Sequence, residues 1–528
     1  MVKPAALRAA DWLRVAVAVA LGLAAFAAVL VTTPDYGLTW DEGKFLDTGE
    51  RYRWWLHGVA TGTFSPLAAA PLQYAWLHTW DHPPLSRLLS VVTLQLTGNR
   101  LGVIGAQRLR SVLLLAVTVA TGTWWLARRY SLLAGLAGGW AMLCLPRLFG
   151  DAHLATTDMP LACFWLLTAL AFHHEWEHRR RPWLTTAGLA AMLLTKHSAI
   201  LILLAFVPFI AAEPRRGGKF LALALGGALL CYPLVQPQLW VEPLASLRQS
   251  LTFFVMRQNA SPLPVLFFNE MFPFRAGWHY GVTMLLVTVP LAVLAPALAG
   301  LAAALRTRER AALHLAVHAC LLPLVLAVPF VPTYDGVRLM LPALPFVGML
   351  AGLGLAQWLH LPAAPWRWLL VAGWLLAAGL PLWQYAPRWH LTYYNELIGG
   401  LPGAARAGME TTYYGEALGP GELAWLNRNL PARAKVNFVC ISPWTLKYLI
   451  NTGQLRADLQ FDNRKLSFAA ARREGFDYML VYYRWSFLHA TAQAAGGGVL
   501  PPAAVKPLLQ TTFLGEPMVA LFAVQAGR

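Results

Sequence analysis

Charge is scarce in this sequence. Asp, Glu, Lys and Arg make up 13% of the 528 residues, hydrophobic residues 57%, and mean hydropathy is +0.49. A water-soluble chain of this length needs far more charge to cover its surface, so a bilayer must solvate much of it. Cysteine is also scarce, with Cys144, Cys163, Cys231, Cys320 and Cys440 alone. The first four lie in apolar stretches and the fifth has no partner in its own region, which excludes a disulfide framework or a zinc knuckle. No Walker-type glycine loop and no Rossmann fingerprint occurs, so nothing marks a nucleotide-binding fold. Internal repeats and extended low-complexity tracts are absent too.

Acidic residues are outnumbered, 25 against 42 Lys and Arg, for a formal net charge of +17. In a soluble protein such an excess would suggest nucleic acid. Here cytoplasmic loops obeying the positive-inside bias explain it more simply. The 23 Trp fit the same setting, since indole rings favour the lipid–water boundary. Lys3, Arg8 and Arg14 precede an apolar run from Val15 to Val31. That run could be a cleaved signal peptide, but its length and the lack of a clear small-x-small cleavage site before Pro34 favour a retained first span.

Apolar runs predict spans near 13–33, 109–127, 131–147, 158–174, 183–196, 197–212, 220–239, 281–304, 311–331, 339–359 and 368–386, about eleven crossings. With the N-terminus cytoplasmic, the inside loops are Arg128–Tyr130, Glu175–Pro182, Glu213–Lys219, Arg306–Arg310 and His360–Arg367, and each is basic. Runs 183–196 and 197–212 are short, but a hairpin there is what returns the chain to the basic side. The expected organisation is a multispanning domain over 1–386, with outside loops 34–108 and 240–280, and an extracytoplasmic domain over 387–528. In the latter, Lys435–Ile441, Tyr478–Tyr483 and Val519–Val524 have strand character, and Gly421–Leu430 and Pro443–Ile450 read as short helices. The fold class is thus a polytopic α-helical membrane protein with a small C-terminal mixed α/β domain.

Polar residues that interrupt the apolar pattern gather on the outside. Asp41, Glu42 and His82 lie in the first outside loop, Asp151, His153 and Asp158 in the second, Lys196 at the hairpin tip, and Arg338 after the loop Pro332–Gly336. Ionisable groups at membrane depth are costly, so a one-sided collection of them suggests a site. Each has a plainer alternative. Asp41-Glu42 could be the acidic start of an interfacial helix or a general base. His82, before Pro83-Pro84, could mark a structural turn, and with His78 it has i, i+4 metal spacing that Pro83 disfavours. Thr157 or Asp158 can cap a helix with Pro160 in its first turn, which leaves Asp151 and His153 unexplained. Lys196 and Arg338 could snorkel, or hold a phosphate.

Taken in order, these motifs resemble the GT-C membrane glycosyltransferases of the protein O-mannosyltransferase and aminoarabinose (lipid A) transferase type, in their bacterial branch. The resemblance is carried by Asp41-Glu42 after the first span, His82-Pro-Pro-Leu, Thr157-Asp-Met-Pro-Leu161, Leu194-Thr-Lys196 and Arg338-x-x-Leu-Pro342. Tyr394-Asn-Glu-Leu-Ile-Gly-Gly400, Gly403-Ala404 and Tyr413-Tyr-Gly-Glu-Ala417 extend it, so that it covers roughly residues 10–430. Phe45 stands where a Tyr is common, and Lys196-His197-Ser198 lacks the Gly and Pro that often follow this lysine.

The resemblance implies inverting transfer of a sugar from a polyprenyl-phosphate donor to a hydroxyl of a protein or a lipid-linked glycan. The setting would be the outer face of a cell's inner (plasma) membrane. It implies Asp41 as base, with Glu42 and Asp158 beside it as catalytic candidates, Lys196 and Arg338 on the donor phosphate, and His82, Asp151 and His153 as further site candidates. No cofactor follows beyond the donor lipid, and a divalent metal is left open. A flippase for lipid-linked saccharides would more often show repeated halves with charges at mid-membrane. An O-antigen-ligase-type transferase would take a pyrophosphate-linked glycan instead.

Overall fold

The computed structural model describes residues 4–77, 81–255, 263–358, 367–495 and 498–525. His78, the loop His360–Arg367 apart from Arg367, and Gly496 and Gly497 lie outside the described residues. The chain is a polytopic α-helical membrane protein with a small C-terminal β-rich region. Among the described residues, Asp11–Asp35, Gly102–Arg129, Pro214–Leu234 and Arg338–Trp358 are long and apolar enough to cross a bilayer alone. Shorter apolar helices include Leu132–Leu143, Trp183–Leu193, His197–Ala212, Leu291–Thr307, Arg310–Val325 and Leu369–Gln384.

The centre of the bundle is Leu344–Trp358, whose side chains from Leu344 to Ala356 are all buried. It reaches its neighbours through glycine. A Cβ on Gly354 would stand 2.0 Å from the Pro296 carbonyl oxygen, and one on Gly300 would stand 2.1 Å from that of Leu350. Only residues without a side chain let these helices approach so closely, which is how packing replaces the hydrophobic effect inside lipid.

One expected span is interrupted. The run 281–304 forms two helices, Tyr280–Thr288 and Leu291–Thr307, separated by Val289 in extended conformation and Pro290. Pro290 has no amide to give the Leu286 carbonyl, and it disfavours helix at the residue before it. The freed carbonyls are met from elsewhere: Asn395 Nδ2 donates to Leu286 O at 2.6 Å and Val289 O at 2.7 Å, and Asn395 N donates to Val287 O at 2.8 Å. The chain also turns at Leu194–Lys196, between Trp183–Leu193 and a 3-10 turn, His197–Leu201, that leads into Ile202–Ala212. Glu175 secures the start of the Trp183 helix by accepting from the amides of Leu184 and Thr185 at 2.8 and 3.0 Å.

The segments 34–108 and 240–280 hold more helix than their polarity suggests. Glu42–Ala60, Ala69–Ala75 and Leu85–Thr97 lie in the first, while Pro243–Val255 and a hairpin of β1 (Val265–Phe267) and β2 (Glu270–Phe272) lie in the second. The C-terminal sheet contains β3 (Lys435–Val439), β4 (Gln460–Asp462), β5 (Tyr478–Tyr482), β6 (Leu509–Phe513) and β7 (Glu516–Ala523) in the order β4-β3-β5-β7-β6. Pairs β3–β4 and β3–β5 are parallel, and β7 is antiparallel to both β5 and β6. This C-terminal region sits directly on segment 34–108: Trp40 N donates to Tyr414 O at 2.8 Å, and Thr445 Oγ1 to Thr39 O at 2.9 Å.

Candidate active site

Asp41 is the residue before the helix Glu42–Ala60, and Asp158 opens the helix Asp158–Glu177. Lys196 stands at the turn after Trp183–Leu193, and Arg338 begins the turn that leads into the central helix. All four are brought together. Arg338 Nη2 lies 2.6 Å from Asp41 Oδ2, and its Nε lies 2.8 Å from Asp158 Oδ2. Lys196 Nζ is 2.6 Å from Asp158 Oδ1. Thr157 flanks the Asp158 helix without a side-chain cap bond, so capping does not account for Asp158. Burial is uneven, and the unevenness matters: the Asp41 side chain is 35% exposed, while that of Asp158 is 1% exposed.

Two residues that the motifs did not single out complete the network. Asp335 Oδ2 is 3.1 Å from Arg338 Nη1, and Asp335 Oδ1 is 2.7 Å from Arg484 Nη2. Arg484 also donates to the Tyr413 carbonyl at 2.6 Å. Lys196, Arg338 and Arg484 therefore face Asp41, Asp158 and Asp335, with the Tyr414 ring beneath the Arg338 guanidinium at 5.9 Å. Asp335-Gly336 before Arg338 was a visible signal, because an Asp-Gly turn three residues ahead of an arginine places the two side chains together. Arg484 lies 149 residues from Asp335 and no local pattern announces it.

Asp151, at the end of the short helix Pro146–Asp151, is fully buried, and neither carboxylate oxygen has a partner among the described residues. Burial, and after it the charge of Asp158, pushes its carboxyl well above the ordinary range. His82 is buried against the Phe45 ring at 5.7 Å, and its Nδ1 has no partner among the described residues. Burial, then Lys196 and Arg87, push the imidazole well below its ordinary pKa, against the opposing charge of Asp81. Asp81 itself is held by Arg87 at 3.0 Å and Lys44 at 3.2 Å.

Glu42 and His153 are engaged differently from Asp41. Glu42 is fully buried and accepts from Arg108 Nε at 2.9 Å, Arg108 Nη2 at 2.8 Å, Ala155 N at 2.8 Å, and both Thr39 N and Oγ1. His153 stacks on the Tyr36 ring at 3.9 Å, with the His390 ring 6.2 Å from both, and is bonded to Thr32 Oγ1 and Phe149 O. An apolar cavity of about 550 Å³ lies behind the Glu42 anchor, lined by Tyr36, Leu101, Arg108 and Leu423; Asp41, Asp158, Lys196 and Arg338 do not border it. Among the described residues no group of three His, Cys, Asp or Glu side chains is placed to hold a metal ion.

Residues 81–240, which carry His82, Asp151, Asp158 and Lys196, match the family described as dolichyl-phosphate-mannose-protein mannosyltransferase. The fold is that of ArnT from Cupriavidus metallidurans in the apo state, with a TM-score of 0.55 at 17% identity over 96% of this chain and 98% of that one. ArnT bound to undecaprenyl phosphate gives 0.53 at 16% identity over the same shares. The fold and the segment 81–240 are thus both similar to those of GT-C membrane glycosyltransferases. No curated protein sequence matches the chain. At these identities the structural likeness carries the fold alone, and the family match covers residues 81–240. The last hundred residues, which resembled nothing in sequence, supply the site with Arg484.

Proposed function

We propose that this protein moves a sugar from a polyprenyl-phosphate-linked donor to a hydroxyl group of a protein or lipid-linked glycan, with inversion, at the outer face of a plasma membrane crossed about eleven times. The observation that carries the reading is the Arg338 hub, a guanidinium shared by one accessible and two buried carboxylates and adjoined by Lys196 through Asp158. A phosphate arriving at Arg338 and Lys196 competes with Asp41 for the outer guanidinium nitrogen. Asp41 is the partner with access to solvent, so it is the one released. Its freed carboxylate takes the acceptor's hydroxyl proton as the acceptor oxygen bonds to the anomeric carbon. The bond from that carbon to the phosphate oxygen breaks, and the electron pair leaves with the phosphate. Asp158, held from both sides, positions the acceptor and keeps Lys196 in place. His82, whose Nδ1 has no partner among the described residues, is suited to a sugar hydroxyl. Glu42 and His153 hold the scaffold.

Cells lacking the protein should accumulate a polyprenyl-phosphate sugar, seen by mass spectrometry of extracted lipids, and the mass would name the sugar. Identical lipid pools in cells with and without an active protein would sink the reading. Two further outcomes follow. Lys196→Ala leaves Asp158 paired with Arg338 but removes a cation from the phosphate, so KM for the donor should rise on the order of tenfold or more while the KM for the acceptor changes little. Arg484→Gln should lower kcat/KM by on the order of tenfold to a hundredfold, because Asp335 then draws on Arg338 alone and shifts it. Partial recovery with Arg484→Lys in steady-state kinetics would separate this positioning role from a loss of fold.

A further inference from the structure

A cleft with a polar mouth lies at the opposite end of the bundle. Arg129 reaches Glu309 at 2.7 Å and Glu177 at 3.3 Å, so three of the basic loops meet there. Asp158 and His178 bound one helix of about 30 Å, which sets this end a bilayer's thickness from Arg338. Between Gly102–Arg129, Asp158–Glu177 and Trp183–Leu193 a cavity of about 980 Å³ opens. Its depth is apolar, walled by Phe164, Leu167, Ala187 and Ala191. Close approach of two of these helices depends on Gly188, where a Cβ would stand 2.3 Å from Thr168 Oγ1.

The mouth of the cavity is cationic. The acids there are already engaged: Glu177 and Glu309 by Arg129, with His173 3.7 Å from Glu177. Arg128 is exposed, rests on the Trp124 ring at 5.5 Å, and has no carboxylate partner among the described residues. The His174 and His178 rings meet at 4.5 Å, tilted by 38°, on the same rim, and Arg128 and Arg180 are near enough to act on His174. An apolar cleft with a free arginine and an indole at the lipid–water boundary fits an amphiphile whose head is a phosphate.

We propose that this cleft binds an anionic glycerophospholipid from the leaflet at the basic-loop end, its phosphate on Arg128 and His178 and its chains against Phe164, Leu167 and Ala191. The test is native mass spectrometry of the full-length protein in neutral detergent, titrated with phosphatidylglycerol, phosphatidylcholine or a polyprenyl phosphate. Phosphatidylglycerol should be retained roughly tenfold better than phosphatidylcholine, since each basic group near a phosphate changes affinity severalfold. Arg128→Glu with His178→Glu should abolish that preference. Ala187→Phe, which fills the apolar wall and leaves every charge in place, should weaken retention of phosphatidylglycerol as well. Equal retention of the two phospholipids, or an undiminished preference in both variants, overturns the proposal. So does displacement of phosphatidylglycerol by an equimolar polyprenyl phosphate, which would give the cleft to the carrier.

Discussion

Asp41→Asn should insert and fold as the wild type does and transfer sugar on the order of 10² to 10⁴ times more slowly, the usual contribution of a positioned base. Stability should hardly change. The Asp41 side chain is 35% exposed, and Arg338 keeps Asp158 and Asp335 when it goes, so no buried charge is left alone. An ion pair with one partner open to solvent contributes about 1 kcal/mol or less. The amide also competes less for Arg338, so donor affinity should hold or improve while kcat falls. Single-turnover rates with saturating donor, beside thermal unfolding in the same detergent, separate the two effects. A variant that keeps more than a tenth of the wild-type rate would remove Asp41 from the base's role.

Much of this site was legible because the membrane makes charge conspicuous. Asp158, Lys196 and Arg338 interrupt or abut apolar runs, and a chain with so few ionisable residues does not place them there without cause. The same contrast made the basic loops readable, and three of them converge on Arg129. What escaped notice is what has no local periodicity. Arg484 lies in a domain that looks like any small α/β module, and its part depends on a tertiary contact with Asp335. Adjacent residues were equally hard to tell apart: Asp41 and Glu42 carry the same charge and share a motif, yet a helical step points one at Arg338 and the other at Arg108. Pro290 was in plain view within an apolar run, but the cost of breaking a span depends on whether donors replace the lost amide. Asn395, more than a hundred residues later, supplies them.

Glu42 should behave as the inverse of its neighbour. All its partners are donors: two nitrogens of Arg108, the amides of Ala155 and Thr39, and the Thr39 hydroxyl. Glu42→Gln therefore turns an NH₂ group toward at least one donor and leaves Arg108 buried without a counter-charge. Arg108→Ala strands the carboxylate and also releases the carbonyls of Tyr36 and Gly37, which accept at 3.0 and 2.8 Å. Each single change should cost about 3–5 kcal/mol, the usual penalty for breaking a buried pair, while Glu42→Leu with Arg108→Leu should cost less than either. Thermal unfolding of the three proteins in one detergent measures this. The pH dependence has a definite sign. Burial alone would raise the Glu42 carboxyl, but the Arg108 charge and the hydrogen bonds hold it below the ordinary range. The pair's contribution is thus complete above the unfolded carboxyl's pKa of about 4.3 and is lost as pH falls toward the lower folded value. Because these bonds fix the backbone on both sides of Asp41, activity in the Glu42 variants should fall in step with the folded fraction. A Glu42→Gln protein that is fully stable yet inactive would exchange the roles of the two carboxylates.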